Sequence, residues 1–263
     1  MRERKVETRR GIRVTVREGG SGPPLVFMHG VAGLLPEEPL LERLAQSHRV
    51  LAPLWPGYGE DEGEEKLEDM LDFTLHGSDV LDALEVERPH LVAHSFGGMV
   101  AAEMAVQNSA ALSRLVLLSP YGLWLDDHPI ADLFASTPFD QPKLLFADEA
   151  EGQKHLTAGL DFSDDGALTD FMVGNARRLG TAGKVLFPIP NRRIEKRLYR
   201  ATVETLVVWG TADGLIPPAY ADHWEERLPN ARTERIDGVG HMLPVEAPDV
   251  VGEAIEKFLA GAD

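Results

Sequence analysis

The sequence predicts an α/β fold: a three-layer sandwich with a mostly parallel central sheet, interrupted by a helical insertion. Three observations predict it. Short apolar runs of strand length, such as 25–28 and 115–118, alternate with longer stretches of helical periodicity. Several runs stop abruptly at turns carrying glycine with serine, aspartate or histidine. Between about residues 121 and 200 the alternation ceases while helical stretches continue.

In chain order, Ile12, Val14 and Val16 alternate with Arg13, Thr15 and Arg17, the pattern of an edge strand with one wet face. The run 25–28 reads as a strand buried on both faces, and it ends at His29-Gly30-Val31-Ala32-Gly33. Leucines at 40, 41 and 44 predict a helix over 36–46, followed by a strand at 50–53. After the loop Leu54-Trp55-Pro56-Gly57-Tyr58-Gly59, residues 60–72 hold eight acids against Lys66 alone and read as a solvated loop running into a helix start. Leu67, Met70, Leu71, Thr74, Leu81 and Leu84 keep helical spacing. An apolar run through Leu91, Val92 and Ala93 then stops at His94, a single serine follows, and Gly97 and Gly98 open a helix through 99–106. At such a bend the backbone crosses closely, so the positions two before and two after the serine must be small. Ala93 and Gly97 supply them.

The next buried strand is 115–118, closed by Ser119-Pro120. From 121 to 200 the helical stretches are broken by Pro129, Pro138, Pro142, Pro188 and Pro190, yet six of the ten phenylalanines lie here, so the segment is not a disordered linker. Eleven acids over 126–170 and eight bases over 177–200 predict that its two halves face each other. The expected division is a core of 1–120 and 201–263 with a helical cap of 121–200. Strands resume at 205–209, which ends in Gly210-Thr211-Ala212-Asp213-Gly214, and at 233–236, which leads to Gly238-Val239-Gly240-His241. Helices are expected over 217–228 and 248–259.

Composition narrows the chemistry. A chain of 263 residues without cysteine has no disulfide and no thiolate nucleophile or ligand. A net charge of -17 argues against nucleic acid, because phosphate neutralisation needs a basic face. No apolar run approaches the roughly 20 residues that span a bilayer. Residues 1–17 carry seven Arg or Lys and no signal-peptide core, so the cytoplasm is the expected location. No single stretch reads as an oligomer interface.

In parallel α/β sheets ligands gather at the carboxyl ends of the strands, and Ser95, Asp213 and His241 each follow one. A serine hydroxyl needs a base to take its proton, and an imidazole needs an acid to fix its tautomer. Ser95, His241 and Asp213 fit these roles, with Asp237 and Asp126 or Asp127 competing for the acid. Each also has a bland reading: a helix cap, a structural histidine, a turn residue. His29 and His94 flank the site and orient loops. The histidines at 48, 76, 90, 128, 155 and 223 are assigned to surface or core.

With these residues in view the sequence resembles the α/β-hydrolase superfamily: His29-Gly30 after the family's third strand, Ala93-His94-Ser95-Phe96-Gly97, Gly210-Thr211-Ala212-Asp213, Gly240-His241, and the chain order Ser, Asp, His. The resemblance covers nearly all of the chain outside the insertion, which would follow the family's sixth strand. It departs at Ala93, where the family's motif has glycine, and at Leu54, where many relatives have aspartate. It implies Ser95 as nucleophile, His241 as base, Asp213 as acid, and the backbone N–H groups of Val31 and Phe96 as the oxyanion hole. It implies no metal and no cofactor.

The expected activity is hydrolysis of a small to medium, largely apolar carboxylic ester through an acyl-enzyme. His29, Gly30, Trp55, Trp124, Phe134 and Met242 are the candidate substrate contacts. Arg192 and Arg193 offer a meeting point for a carboxylate, against a bland reading as solvated bases. Relatives with the same triad cleave carbon-carbon bonds of vinylogous diketones, open lactones or form peracids without a cofactor, and fold alone does not separate these. A non-catalytic binding protein is the reading from another class, and a complete triad argues against it.

Overall fold

The computed structural model of the protein describes residues 1–158, 160–188 and 193–261. Its strands are β1 (Arg2–Glu7), β2 (Arg13–Gly19), β3 (Pro24–Met28), β4 (Arg49–Pro53), β5 (His90–His94), β6 (Arg114–Leu118), β7 (Thr205–Gly210) and β8 (Ala231–Ile236). They form one sheet in the order β1-β2-β4-β3-β5-β6-β7-β8. The six strands from β4 to β8 in that order are parallel, and β1 and β2 pair antiparallel. The sheet is mostly parallel, as expected for βα units.

Alternation within the apolar runs sets the layers, because successive strand residues point to opposite faces. Leu25, Phe27, Val92, Val116 and Val208 pack with α1 (Pro39–Leu44) and α9 (Pro248–Leu259) through Leu40, Leu41, Leu44, Val251, Ile255 and Phe258. Val26, Met28, Leu91, Leu115 and Val207 share the other cluster with α2 (Met70–Ala83), α3 (Ser95–Asn108) and α7 (Tyr220–Arg227). Helix α3 is buried without interruption from Ser95 to Val106. A helix apolar all round needs cover on every side, and here the sheet supplies one side and the segment between β6 and β7 another. Glu103, its only charge, is met by Arg197.

The chain runs from β3 to β4 on one side, then places β5 on the other side of β3, so the order reverses between β3 and β5. The crevice outside the carboxyl ends at such a switch point is where α/β sheets bind ligands. Register aligns Met28 with Ala93, so the residues that follow, His29-Gly30 and His94-Ser95, leave the sheet side by side.

Four expectations need correction. The edge strand is β1, not the 12–17 segment; β2 lies between β1 and β4 with Val14 and Val16 buried. The helix over 36–46 is shortened to Pro39–Leu44, because Pro39 can start a helix but would break one already running. The acidic stretch is not simply solvated: Asp61 is buried against Thr15 and Lys5, and Glu64 is gripped by Arg177. Among the described residues, bases of 177–200 reach outside the insertion rather than to its acidic half: Arg177 pairs with Glu64 and Arg197 with Glu103.

Between β6 and β7 lie α4 (Gln141–Leu145), α5 (Glu149–Leu156), α6 (Asp165–Leu186) and two 3-10 turns. Pro142 starts α4 rather than breaking a helix. No helix of the described residues is long and apolar enough to cross a membrane.

The loop after β3 holds a buried acid. Glu38 accepts the Leu35 N–H, and burial pushes its carboxyl up to about 7, with that N–H and Arg17 pulling against it. The fold therefore favours the protonated form. The resulting stability is present below the ordinary value of 4.5 and is lost as pH rises through about 7. Glu38→Gln stays neutral and keeps an acceptor. Chemical denaturation should find it more stable than wild type by roughly 3 kcal/mol at pH 8, an upper limit from the size of the shift. The two proteins should match at pH 4; an equal gap at both values refutes the assignment.

Candidate active site

Strand β5 ends at His94 and α3 begins at Ser95 with no residue between. The turn is made by Ser95 itself, at φ +57. A non-glycine residue there costs on the order of 1–3 kcal/mol, which surrounding structure must impose. The imposing contacts are close. A Cβ on Gly97 would stand 2.5 Å from the His29 carbonyl oxygen and 2.7 Å from that of Met28. One on Gly98 would meet Pro120 Cβ at 2.9 Å, and one on Gly30 would lie 2.6 Å from Ser95 Cβ and 3.2 Å from its Oγ. Only glycine lets the β3 loop approach the hydroxyl this closely.

His241 Nε2 lies 2.8 Å from Ser95 Oγ, and its Nδ1 lies 2.8 Å from Asp213 Oδ2. The carboxylate only accepts, so Nδ1 carries the proton and Nε2 presents its lone pair to the hydroxyl. Asp213 Oδ1 accepts the N–H groups of Leu215 (2.9 Å) and Ile216 (2.8 Å), which pin the carboxylate. Ser95 and His241 are each 1% exposed, so water reaches neither freely. Two of the rival acids are engaged elsewhere: Asp237 accepts from the Thr211 hydroxyl and Asp126 from the Trp124 indole.

Phe96 is the second residue of α3, so its N–H is one of the four that a helix leaves without an internal acceptor. The Val31 N–H, in the loop after β3, donates to no other group among the described residues. Both sit in the two chain segments that leave the sheet side by side. The arrangement can deprotonate a hydroxyl and bind an oxyanion beside it.

A family model described as alpha/beta hydrolase family matches residues 25–254. The chain belongs to that family. Among curated proteins this alpha/beta hydrolase is 27% identical over 269 residues to the 2-hydroxymuconate semialdehyde hydrolase of Pseudomonas sp. (strain CF600), covering 96% of this chain and 92% of that protein. It is 29% identical over 265 residues to the dihydrolipoyllysine-residue acetyltransferase component of the acetoin cleaving system of Cupriavidus necator, covering 95% of this chain and 67% of that protein. Among solved structures it superimposes on a meta-cleavage product hydrolase from Pseudomonas fluorescens IP01 with a TM-score of 0.80 at 20% identity, over 99% and 98% of the two chains. An esterase from Rhodococcus sp. ECU1013 gives 0.75 at 21% identity over the whole of both. These structures share the fold.

The other expected contacts fall into three groups in this alpha/beta hydrolase. Gly30 and Met242 adjoin the Ser95–His241 pair, Met242 being buried directly after the imidazole. His29 and Trp55 lie beneath. The His29 Nδ1–H donates to the Gly30 carbonyl and its Nε2 accepts from the Trp55 N–H. The Trp55 indole donates to the His29 carbonyl and packs on Phe96. Burial depresses His29 to about 4, so the ring stays neutral and ties two loops together. Trp124 and Phe134 are half-buried in the insertion, the first bonded to Asp126 and the second edge-on to Phe187. Arg192 and the Arg193 side chain lie outside the described residues.

His94, read from the sequence as a residue that orients a loop, donates from Nε2 to the His241 carbonyl at 2.8 Å, and burial drives it well below the usual imidazole value. Other neighbours escaped the sequence reading. The Tyr121 N–H donates to the Ser95 carbonyl at 3.1 Å, and its ring stands edge-on to His241. Arg178 of α6 sits beside Gly33 in the loop after β3, its guanidinium pKa pulled down by burial. Among the described residues no carboxylate pairs with it; Nη2 is 3.5 Å from Asn175 Oδ1. Glu246, five residues after His241, accepts three backbone N–H groups around the His241 loop. His241-x4-Glu246 is a visible spacing, but without the fold nothing tells which N–H groups the acid meets.

Proposed function

We propose that the protein is a serine hydrolase that cleaves a small to medium carboxylic ester through an acyl-enzyme. The observation that carries this reading is the pair of 2.8 Å contacts joining Ser95 Oγ to His241 and His241 to Asp213. Ser95 Oγ attacks the carbonyl carbon while His241 Nε2 takes its proton. The tetrahedral oxyanion accepts from the N–H groups of Phe96 and Val31, where one such donor is worth roughly 3–4 kcal/mol in a dry site. His241 returns the proton to the leaving alkoxide, and Asp213 balances the imidazolium in between. Water, deprotonated by His241, then adds to the acyl-enzyme, and collapse restores Ser95 with release of the acid. In this reading residues 121–200 act as a cap, and the 1% exposure of Ser95 and His241 supports a covered site.

A second reading, carbon-carbon hydrolysis of a vinylogous diketone bearing a carboxylate, is supported by Arg178, a half-buried cation with no acid paired to it among the described residues, beside the Val31 loop. The 27% identity to a 2-hydroxymuconate semialdehyde hydrolase supports it as well. A cation partly withdrawn from water gains from an anionic partner, and a substrate carboxylate would supply one. The two readings separate on one panel: p-nitrophenyl esters of graded chain length, a lactone, and a vinylogous diketone with and without its carboxylate. Fastest turnover of an ester supports the first reading, and fastest turnover of the carboxylated diketone the second. A protein that turns over none of them is not the hydrolase described here.

A further inference from the structure

One carboxylate serves both neighbours of His241. Glu246, the last residue of α8 (Leu243–Glu246), accepts the Gly240 N–H at 3.2 Å on Oε2 and the Met242 N–H at 3.2 Å on Oε1. Oε2 also accepts the Ala147 N–H at 2.8 Å, from the link between α4 and α5 in the insertion. The Met242 N–H is shared with the Leu145 carbonyl at 2.9 Å. The loop is clamped from two sides, with Glu246 on one and residues 145–147 on the other. Packing leaves no slack: a Cβ on Gly240 would stand 2.6 Å from the Ala147 nitrogen and 2.8 Å from Glu246 Oε1. Leu145 and Phe146 are themselves buried, so the insertion side of the clamp is anchored.

We propose that Glu246 is the positioning residue of the base, holding His241 over Ser95 and tying that placement to the docking of residues 145–147 of the insertion. The inference rests on the serine-hydrolase reading above and adds to it a mechanical link between the insertion and the imidazole. Glu246 touches no reacting atom. Its carboxylate gathers three donors that would otherwise have no common acceptor, and charge-assisted bonds of this kind are stronger than neutral ones. Burial raises the Glu246 carboxyl, and the Ala147, Gly240 and Met242 N–H groups pull the other way. Its glutamine counterpart has the same shape but one acceptor oxygen, and its NH2 must face an N–H. Displacing a catalytic group by about 1 Å costs on the order of a hundredfold in rate.

The test compares wild type, Glu246→Gln and Glu246→Asp by kcat and KM on the best p-nitrophenyl ester. It adds the rate at which a fluorophosphonate probe labels the Ser95 peptide, and peptide-level hydrogen exchange. Glu246→Gln should lose roughly 10- to 100-fold in kcat and in labelling rate with KM within threefold, as expected for a misplaced base. Glu246→Asp, which keeps the charge, should recover part of that loss. Peptides containing Gly240 and Met242 and the peptide containing Ala147 should lose protection together, while β3 stays unchanged. Labelling and kcat within twofold of wild type in Glu246→Gln overturn the proposal. So does loss of protection at Gly240 and Met242 without loss at Ala147, or unfolding of both variants at the assay temperature, which would make Glu246 a purely structural residue. Failure of wild type to label at Ser95 would instead remove the reading on which the proposal rests, and the proposal with it.

Discussion

Ser95→Ala is expected to lower kcat by about 10⁴- to 10⁶-fold while leaving the fold intact, the range found when a triad serine is removed elsewhere. Two features of the site argue for a loss this large. Among the described residues the hydroxyl is the only group hydrogen-bonded to His241 Nε2, and Asp213 holds the Nδ1 side of the ring. Alanine also relieves neither the strain at φ +57 nor the close approach of Gly30, so the Phe96 and Val31 N–H groups keep their places. The residual rate should be what the two amides and binding alone supply. Mass spectrometry after treatment with a fluorophosphonate probe gives the direct readout: added mass on the Ser95 peptide of wild type, none on the variant. Labelling at another residue, or an active alanine variant, would reject the assignment of Ser95.

Asp213→Asn should cost about 10⁴-fold in kcat, the size seen when the triad acid of another serine hydrolase is amidated. Here the geometry says why. Asp213 Oδ1 accepts two backbone N–H groups, from Leu215 and Ile216, so the amide must place its oxygen there and turn its NH2 toward His241. An NH2 donates. His241 Nδ1 would then have to accept, the ring proton would move to Nε2, and Nε2 could no longer take the proton of Ser95. The loss is therefore one of tautomer, with little change in shape. Asp237→Asn, which alters only an acceptor for the Thr211 hydroxyl, should stay within about twofold of wild type as an ordinary surface change. If the two substitutions cost the same, the acid has been misassigned.

How far the sequence could be read depended on whether the deciding interaction was local. Strands β3, β5, β6 and β7 were visible because burial on both faces leaves continuous apolar runs. Strand β1 was not: Arg2–Glu7 carries charges almost throughout, and it is held by backbone pairing to β2, which leaves no mark on side chains. Charge runs misled for a related reason. Arg177 and Arg197 meet acids 113 and 94 residues away, and composition cannot choose among distant partners.

By itself the sequence determined the α/β class and three chemically competent residues each placed after a strand. Those features follow from periodicity and from turn chemistry, which act over a few residues. Only the tertiary structure decided which aspartate meets His241, that Gly30 rests against the Ser95 hydroxyl, that Arg178 lies beside the β3 loop with no acid paired to it among the described residues, and that Glu246 binds the His241 loop to Ala147. Each of these depends on strand order and register bringing remote segments to within about 3–4 Å, the distance over which hydrogen bonds and packing act.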